Sequence, residues 1–215
     1  MRLPWSVVTT KGKSYWTGTA PDHALWLQPW PENPCKRLVH NGLMVPPKFA
    51  KWLGNQLPKG TFIDLFCGHG GFAKGMIDAG HKHVLGIDFN QDILKCYKRE
   101  IGDCVCFDLN NIKGLDLPQV DYVIASPPCN NFSVANNEAN AILGIKLVKA
   151  AMWWISYIQP KIYIVENVPG MARHYKNAKV YDMWDYGVPQ HRKRAIMSNF
   201  GFKDNRFQTE ILDFN

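Results

Sequence analysis

The amino-acid sequence predicts a single α/β domain built on a doubly wound, mostly parallel β-sheet. Short apolar segments typical of buried strands recur from Thr61 onward, helical segments separate them, and 215 residues is the size of one domain. Strands joined by helical crossovers pair in parallel and are covered by helices on both faces. Ligands of such sheets bind beyond the carboxyl ends of the strands.

Short segments rich in β-branched and aromatic residues are predicted as strands. They are Thr61–Leu65, Val84–Asp88, Cys104–Phe107, Tyr122–Ala125, Ile162–Val165 and Ala195–Phe200. The intervening segments predict helices, which run from the Gly68–Gly71 loop to about Ala79, over Gln91–Glu100, and over Asn137–Ile158 before Pro160.

Residues 1–60 break this alternation and are rich in Trp and Pro. One helix is predicted from Pro46 to Gln56, because a proline pair suits the first turn of a helix. We expect the rest to be irregular or a small sheet packed on the main domain.

The composition and the distribution of apolar residues argue against a membrane-spanning or secreted protein. Hydrophobic residues make up 46% and charged residues 20%, which is ordinary for a soluble protein. The longest apolar stretch, around Ala150–Ile158, is too short to span a bilayer, and the N-terminus lacks the apolar core of a signal peptide. We therefore expect a cytoplasmic location and no membrane partner.

The net charge of +7 is concentrated towards the two ends of the chain. Residues 1–60 hold eight Lys and Arg against two acids, and residues 172–206 hold eight against three. This pattern leaves open a solvated surface and a phosphate-binding cleft. The six cysteines include no CxxC pair, so neither a disulfide framework nor a metal site is predicted.

A glycine-rich loop, Asp64–Gly75, follows the first main strand and opens a helix. Glycines let the backbone approach a ligand closely. Asp88 ends the next strand, where a carboxylate typically accepts hydrogen bonds from ribose hydroxyls, and Asp108 ends the third. The loop alone suits NAD, FAD or S-adenosylmethionine, and a tight turn without a ligand stays open.

Cys129 and Glu166 follow two successive strands of the predicted sheet. Two prolines fix the backbone before Cys129, and a thiolate is a strong nucleophile once its pKa is lowered. If the crossover between them joins adjacent strands, the thiol and the carboxyl stand side by side. A cysteine beside an acid suits attack on C6 of a pyrimidine while the acid binds or protonates N3. A lone cysteine would more often be structural.

Arg192 and Arg194 lie in the run Gln190-His-Arg-Lys-Arg before the last predicted strand. Alternating positions point both guanidiniums the same way, where they could hold a base carbonyl or a phosphate. A basic surface run is the alternative interpretation.

Together these motifs resemble those of the cytosine-C5 DNA methyltransferase family over roughly residues 61–200. Asp64–Gly75 is similar to its DLFCGxGGxxxG cofactor motif, and Pro128-Cys129 with Phe132-Ser133 is similar to its PCxxFS nucleophile motif. Glu166-Asn-Val and Gln190-x-Arg-x-Arg complete the resemblance, although Asn130 replaces the usual Gln after the cysteine.

The resemblance implies a Rossmann-like fold that binds S-adenosylmethionine as methyl donor, without a metal. Phe66 would stack near the adenine, Asp88 would bind the ribose and Asp108 the adenine amino group. The cofactor contacts implied in this way are Asp64, Phe66, Cys67, Gly68, Gly70, Gly71, Asp88, Phe89, Asp108, Leu109 and Pro127.

The resemblance also implies the roles of the catalytic residues. Cys129 would attack C6 of a cytosine, Arg194 would contact that base with Arg192 beside it, and Glu166 would bind the opposite edge. The cytosine would be flipped out of duplex DNA to reach the cysteine. Restriction-modification is the setting that such an enzyme suggests.

Gly42–Ala50 resembles the last motif of the family, GNxVPPxxA, which packs against the cofactor loop, although Leu43 replaces its Asn. Because this motif precedes the first main strand here, we interpret the chain as circularly permuted. Residues 41–215 would form the catalytic domain, and residues 1–40 a Trp- and Pro-rich segment that retains a remnant of the target-recognition region.

Several alternatives stay open at this point. An amino-group methyltransferase carries an aromatic residue where this chain has Cys129, and it would have no role for Glu166. The substrate of a C5 methyltransferase could be RNA or a free nucleotide. The chain could also be the catalytic subunit of a split enzyme with a separate recognition subunit, or an inactive remnant.

Overall fold

The structure is a computed structural model that describes residues 6–10, 13–17, 44–128, 138–188, 191–204 and 206. A hairpin is formed by β1 (Ser6–Thr10) and β2 (Lys13–Thr17). The strands of the main sheet are β3 (Thr61–Leu65), β4 (Lys82–Asp88), β5 (Cys104–Cys106), β6 (Tyr122–Ala125), β7 (Ile162–Asn167), β8 (Ala178–Asp182) and β9 (Lys193–Ser198). The helices are α1 (Pro47–Gly54), α2 (Gly71–Asp78), α3 (Gln91–Glu100) and α4 (Glu138–Ile158), with 3₁₀-helices at Pro169–Arg173 and Met183–Tyr186.

The main sheet has the strand order β5-β4-β3-β6-β7-β9-β8. Adjacent strands in this sheet are parallel, except that β9 runs antiparallel to both β7 and β8. From β3 the chain builds outward through β4 and β5, then returns to add β6 on the other side of β3. This reversal opens a crevice beyond the carboxyl ends of β3 and β6, and the predicted doubly wound, mostly parallel sheet is confirmed.

Most predicted strands and helices are confirmed, with ends that agree to within two residues. The main element that the sequence analysis missed is β8. The segment Ala178–Asp182 carries Lys179 and Asp182, which are weak strand formers. It becomes a strand because it pairs with β9 at the edge of the sheet. The β1–β2 hairpin agrees with the expectation of a small sheet in the N-terminal segment.

Apolar side chains cover the two faces of the sheet. One buried cluster joins α1, α2 and α3 to the sheet and includes Phe49, Trp52 and Tyr97. The other packs α4 on the opposite face through Val148, Trp154 and neighbouring residues. None of the helices in the described part of the chain is long and apolar enough to cross a membrane.

The helices α1 and α2 cross at very short range over Gly75. A Cβ atom built at Gly75 would lie 2.4 Å from the Pro47 carbonyl oxygen and 2.4 Å from the Ala50 Cβ. This contact holds α1 directly against the helix that begins at the glycine-rich loop. Only a residue without a side chain permits that approach.

We predict that Gly75→Ala lowers the free energy of unfolding by about 1–3 kcal/mol, because the added methyl must push α1 away from α2. The loss should appear in urea denaturation even though alanine is the better helix former. Gly201→Ala is the matched control, since a Cβ there meets nothing within 4 Å. Equal free energies of unfolding for the two variants would show that α1 can move away from α2 without loss of stability.

Candidate functional site

The glycine-rich loop after β3 takes a backbone path that is uncommon for residues with side chains. Phe66 has φ 55°, and Gly68 and Gly70 have φ 50° and 83°, all in the left-handed region. The amide of Cys67 donates to the Ile87 carbonyl at 3.0 Å, which anchors the loop to β4. A Cβ at Gly68 would meet nothing within 4 Å, so its backbone faces open space.

The segment before α1 closes over this loop. A Cβ at Gly71 would lie 2.4 Å from the Val45 carbonyl oxygen, so the two backbones are in direct contact. The described part of the predicted Gly42–Ala50 motif, from Met44 onward, thus packs against the loop as expected. Gly42 and Leu43 lie outside the described residues, and the circular permutation itself stays a prediction.

Asp88, at the end of β4, is buried and joins the glycine-rich loop to the start of α3 through its two carboxylate oxygens. Oδ2 accepts a hydrogen bond from the Gly68 amide at 3.0 Å, and Oδ1 accepts one from the Asn90 amide at 2.9 Å. Each oxygen keeps a further lone pair for a ligand donor such as a hydroxyl. Asp88 therefore supports the loop and lines the cavity described below, where it could accept a hydrogen bond from a ligand.

Asp64 is placed differently from the other predicted cofactor residues. It is 1% exposed and lies outside the cavity lining described below. The hydroxyl of Tyr97 donates to its Oδ2 at 3.2 Å, and the same Tyr97 oxygen lies 3.0 Å from Nε2 of His83. Burial raises the pKa of Asp64 well above its usual value, a rise that the Tyr97 hydrogen bond opposes. The Asp64 carboxylate thus binds Tyr97 of α3 in the interior, and a direct ligand contact stays a prediction.

Pro127 and Pro128 follow β6 and both line the same crevice as the loop. Nδ2 of Asn167 donates to the Pro127 carbonyl at 2.9 Å, which ties this segment to the end of β7. Cys129, the predicted nucleophile, lies outside the described residues, as does Gln190. The adjacency on which its prediction depended is confirmed for the strands, because β6 and β7 are parallel neighbours.

The strand registers place three residues of the site in one row. Leu65 of β3 pairs with Ala125 of β6, and Ala125 pairs with Val165 of β7. The next residue along each strand is Phe66, Ser126 and Glu166. All three line the crevice.

Glu166 forms a buried ion pair with Arg194. Its Oε1 lies 2.8 Å from Nε of Arg194, and the two side chains are 9% and 13% exposed. Burial raises the pKa of Glu166 above its usual value, while the charges of Arg194 and Arg192 oppose the rise. Arg192 is buried and does not line the cavity, so it acts on Glu166 by charge.

A cavity of about 360 Å³ joins the two halves of the site. The glycine-rich loop and Asp88 line one side, and Pro128, Glu166 and Arg194 line the other. The sequence analysis did not name seven of its residues as site residues. Four of them lie within predicted motifs, namely Met44 and Val45 in Gly42–Ala50 and His69 and Phe72 in Asp64–Gly75, and the other three are Asn90, Ile93 and Ser126.

A small apolar recess of about 30 Å³ lies beside this cavity and shares Phe66 and Phe89 with it. Phe107, Asp108 and Leu109 complete its wall. Phe89 is 64% exposed, which is unusual for a large aromatic side chain.

Cys67 is the one cysteine of the described residues that lines the cavity. Burial raises the pKa of its thiol well above the usual value, and the charges of Asp64 and Asp88 raise it further. A thiol that stays protonated is a poor nucleophile. Cys67 therefore serves as a small wall residue.

We predict that Tyr97→Phe lowers the free energy of unfolding by about 1–3 kcal/mol, because Asp64 loses its hydrogen bond while staying buried. Urea denaturation measures the change. Tyr157→Phe is the control, since Tyr157 is 47% exposed and its hydroxyl lies 3.4 Å from Asp116. A loss no larger than that of the control would contradict a supporting role for the Tyr97 hydroxyl.

Comparison with known proteins places the site in context. The profile of a family described as C-5 cytosine-specific DNA methylase matches residues 60–183. Type II methyltransferase M.AgeI from Thalassovita gelatinovora is 30% identical over 172 residues, which cover 67% of this chain and 40% of that protein. Type II methyltransferase M.HpaII from Haemophilus parainfluenzae is 29% identical over 177 residues, which cover 75% of this chain and 48% of the relative.

The chain spans half or less of the length of these curated relatives. Among solved structures, TrmN from Thermus thermophilus is similar with a TM-score of 0.48 and 14% identity. That similarity covers 71% of this chain and 47% of that chain.

Proposed function

Because this chain belongs to the C-5 cytosine-specific DNA methylase family, we propose that it transfers a methyl group from S-adenosylmethionine to C5 of cytosine in DNA. The observation that carries the proposal is the single cavity, which is lined by the glycine-rich loop on one side and by Glu166 and Arg194 on the other. A methyl donor and an acceptor base held side by side in one cavity can react directly.

The loop half of the cavity fits S-adenosylmethionine, which supplies an activated methyl group when bound. Asp88 keeps lone pairs for the ribose hydroxyls, and the backbone of Gly68 faces open space. The adenine would lie against Phe66 and Phe89, which line both the cavity and the recess, with Asp108 nearby for its amino group. Cys67, Gly70, Gly71 and Leu109 complete the proposed cofactor contacts, with Pro127 at the end nearest the base.

The other half of the cavity fits the pyrimidine. In the proposed reaction the thiolate sulfur of Cys129 forms a bond to C6, and Glu166 hydrogen-bonds or protonates N3. Electron density shifts to C5, which takes the methyl group. A base then removes the proton from C5, the C6–sulfur bond breaks, and the thiolate is released.

The raised pKa of Glu166 supports this role. Burial shifts the pKa of Glu166 upward, which makes its carboxyl group better suited to donate a proton to a ring nitrogen than an exposed glutamate is. The positive charge of Arg194 opposes the rise in the pKa of Glu166. The side chain of Arg194 also lines the cavity, where it could contact the base. We propose that Arg194 exchanges part of its contact with Glu166 for the bound cytosine.

We propose DNA as the partner, with the cytosine flipped out of the helix, because Glu166 is too buried to meet a base inside a duplex. Residues 41–215 would be the catalytic domain, with target recognition supplied by residues 1–40 or a separate subunit. A methyl-transfer assay on duplex DNA, single-stranded DNA, tRNA and dCMP tests the substrate. Transfer to duplex DNA supports the proposal, and transfer to tRNA or dCMP alone would refute it.

We predict that Cys129→Ala abolishes methyl transfer, because the variant cannot form the bond to C6, while its affinity for S-adenosylmethionine stays unchanged. A radiolabelled transfer assay and isothermal titration calorimetry measure the two quantities. Turnover at the wild-type rate would refute the nucleophile assignment.

We predict that Arg194→Ala lowers the transfer rate by about a hundredfold, because it leaves Glu166 buried without its partner and removes a contact to the base. Lys176→Ala, a change of the same charge at an exposed position, is the control. Equal rates in the two variants would mean that Arg194 is only a basic surface residue.

A further inference from the structure

Asp182 ends β8 and lies outside the cavity, yet it organises the loop that leads to Arg194. Its Oδ1 accepts two backbone hydrogen bonds, from Trp184 at 3.2 Å and from Arg192 at 3.1 Å. Its Oδ2 lies 3.2 Å from Nδ1 of His191. One carboxylate thus contacts the start and the end of the loop between β8 and β9.

Two further contacts close the same loop. The amide of Met183 donates to the Arg192 carbonyl at 3.0 Å, so Arg192 is bound through both its amide and its carbonyl. The rings of Trp184 and His191 stack with centroids 4.8 Å apart and an angle of 18° between their planes. The backbone of Arg192 is therefore fixed two residues before Arg194.

The position of this backbone decides where Arg194 points. In the β8–β9 pairing, Asp182 lies opposite Lys193 and Tyr181 lies opposite Arg194. Successive strand residues face opposite sides of a sheet, so a twist at Arg192 is carried into the direction of Arg194. The 2.8 Å contact with Glu166 requires one such direction.

We infer that Asp182 is a positioning residue for methyl transfer, which acts through the backbone of Arg192 to hold Arg194 against Glu166. The inference rests on the proposed function for its kinetic consequence, but its structural consequence is independent of activity. Asp182 makes no contact with the cavity and so is no catalytic residue.

The chemistry of the contacts separates three variants. Asp182→Ala removes both acceptor oxygens. Asp182→Asn keeps a carbonyl oxygen for the Trp184 and Arg192 amides, so we expect it to position Arg194 as the wild type does. Asp182→Glu keeps the charge but moves the oxygens outward by one methylene, so it tests geometry even if Asp182→Ala fails to fold. Asp185→Ala is the control, because Asp185 lies in the 3₁₀-helix that Asp182 caps and pairs with Arg206 at 3.5 Å.

The experiment measures kcat, the affinity for S-adenosylmethionine, and the NMR signal of the Arg194 Nε–H group in the full chain without ligand. That signal is assigned by its absence in Arg194→Lys. We expect Asp182→Ala and Asp182→Glu to lower kcat about tenfold or more, to leave cofactor affinity within about twofold, and to shift the Nε–H signal. Asp182→Asn and Asp185→Ala should resemble the wild type.

Unchanged kcat and an unchanged Nε–H signal in Asp182→Glu would overturn the inference. A parallel loss of cofactor affinity and thermal stability in that variant would also overturn it, because that outcome indicates a general structural role. If the wild type transfers no methyl group, the proposed function fails, and the Nε–H signal still decides whether Asp182 positions Arg194.

Discussion

The parallel pairing of β3, β6 and β7 is the constraint on which the site depends. Because Leu65, Ala125 and Val165 lie at one level in these strands, Phe66, Ser126 and Glu166 emerge in one row at the same edge of the sheet. Residues a hundred positions apart in the chain thereby line one cavity. A shift of β6 or β7 by one residue in this pairing would turn Ser126 or Glu166 to the other face of the sheet.

Three buried carboxylates in and around the site cost free energy of folding, and each has its own stabilising contact. Asp88 accepts backbone hydrogen bonds from Gly68 and Asn90, Asp64 accepts one from the Tyr97 hydroxyl, and Glu166 pairs with Arg194. An uncompensated buried charge would shift its pKa or destabilise the fold. The compensating groups also fix the glycine-rich loop and the orientation of Arg194, so electrostatic support and site geometry come from the same contacts.

Much of this arrangement could be predicted from the sequence, because its signals are local. Short apolar strands followed by glycine, proline or acidic residues predicted the sheet and the position of Asp88, Pro127 and Glu166 at its carboxyl edge. The predicted side-by-side placement of two motifs needed one assumption, that β6 and β7 are neighbours, and the sheet confirms it.

Other features depend on tertiary contacts that leave little trace in the sequence. The edge strand β8 forms because β9 offers a partner, despite its weak propensity. Ile93 lines the cavity because α3 packs beside the loop, and no motif in the sequence marks this position. Asp64 belongs to the cofactor motif, yet it does not line the cavity and its carboxylate accepts a hydrogen bond from Tyr97 of α3.

The most direct test of the proposed chemistry uses duplex DNA that carries 5-fluorocytosine at the target positions. Once C5 carries both fluorine and methyl, no proton can be removed and the bond to Cys129 cannot break. Denaturing electrophoresis and peptide mass mapping should therefore show a covalent adduct at Cys129 that requires S-adenosylmethionine. An enzyme that methylates ordinary cytosine but forms no such adduct would contradict attack on C6.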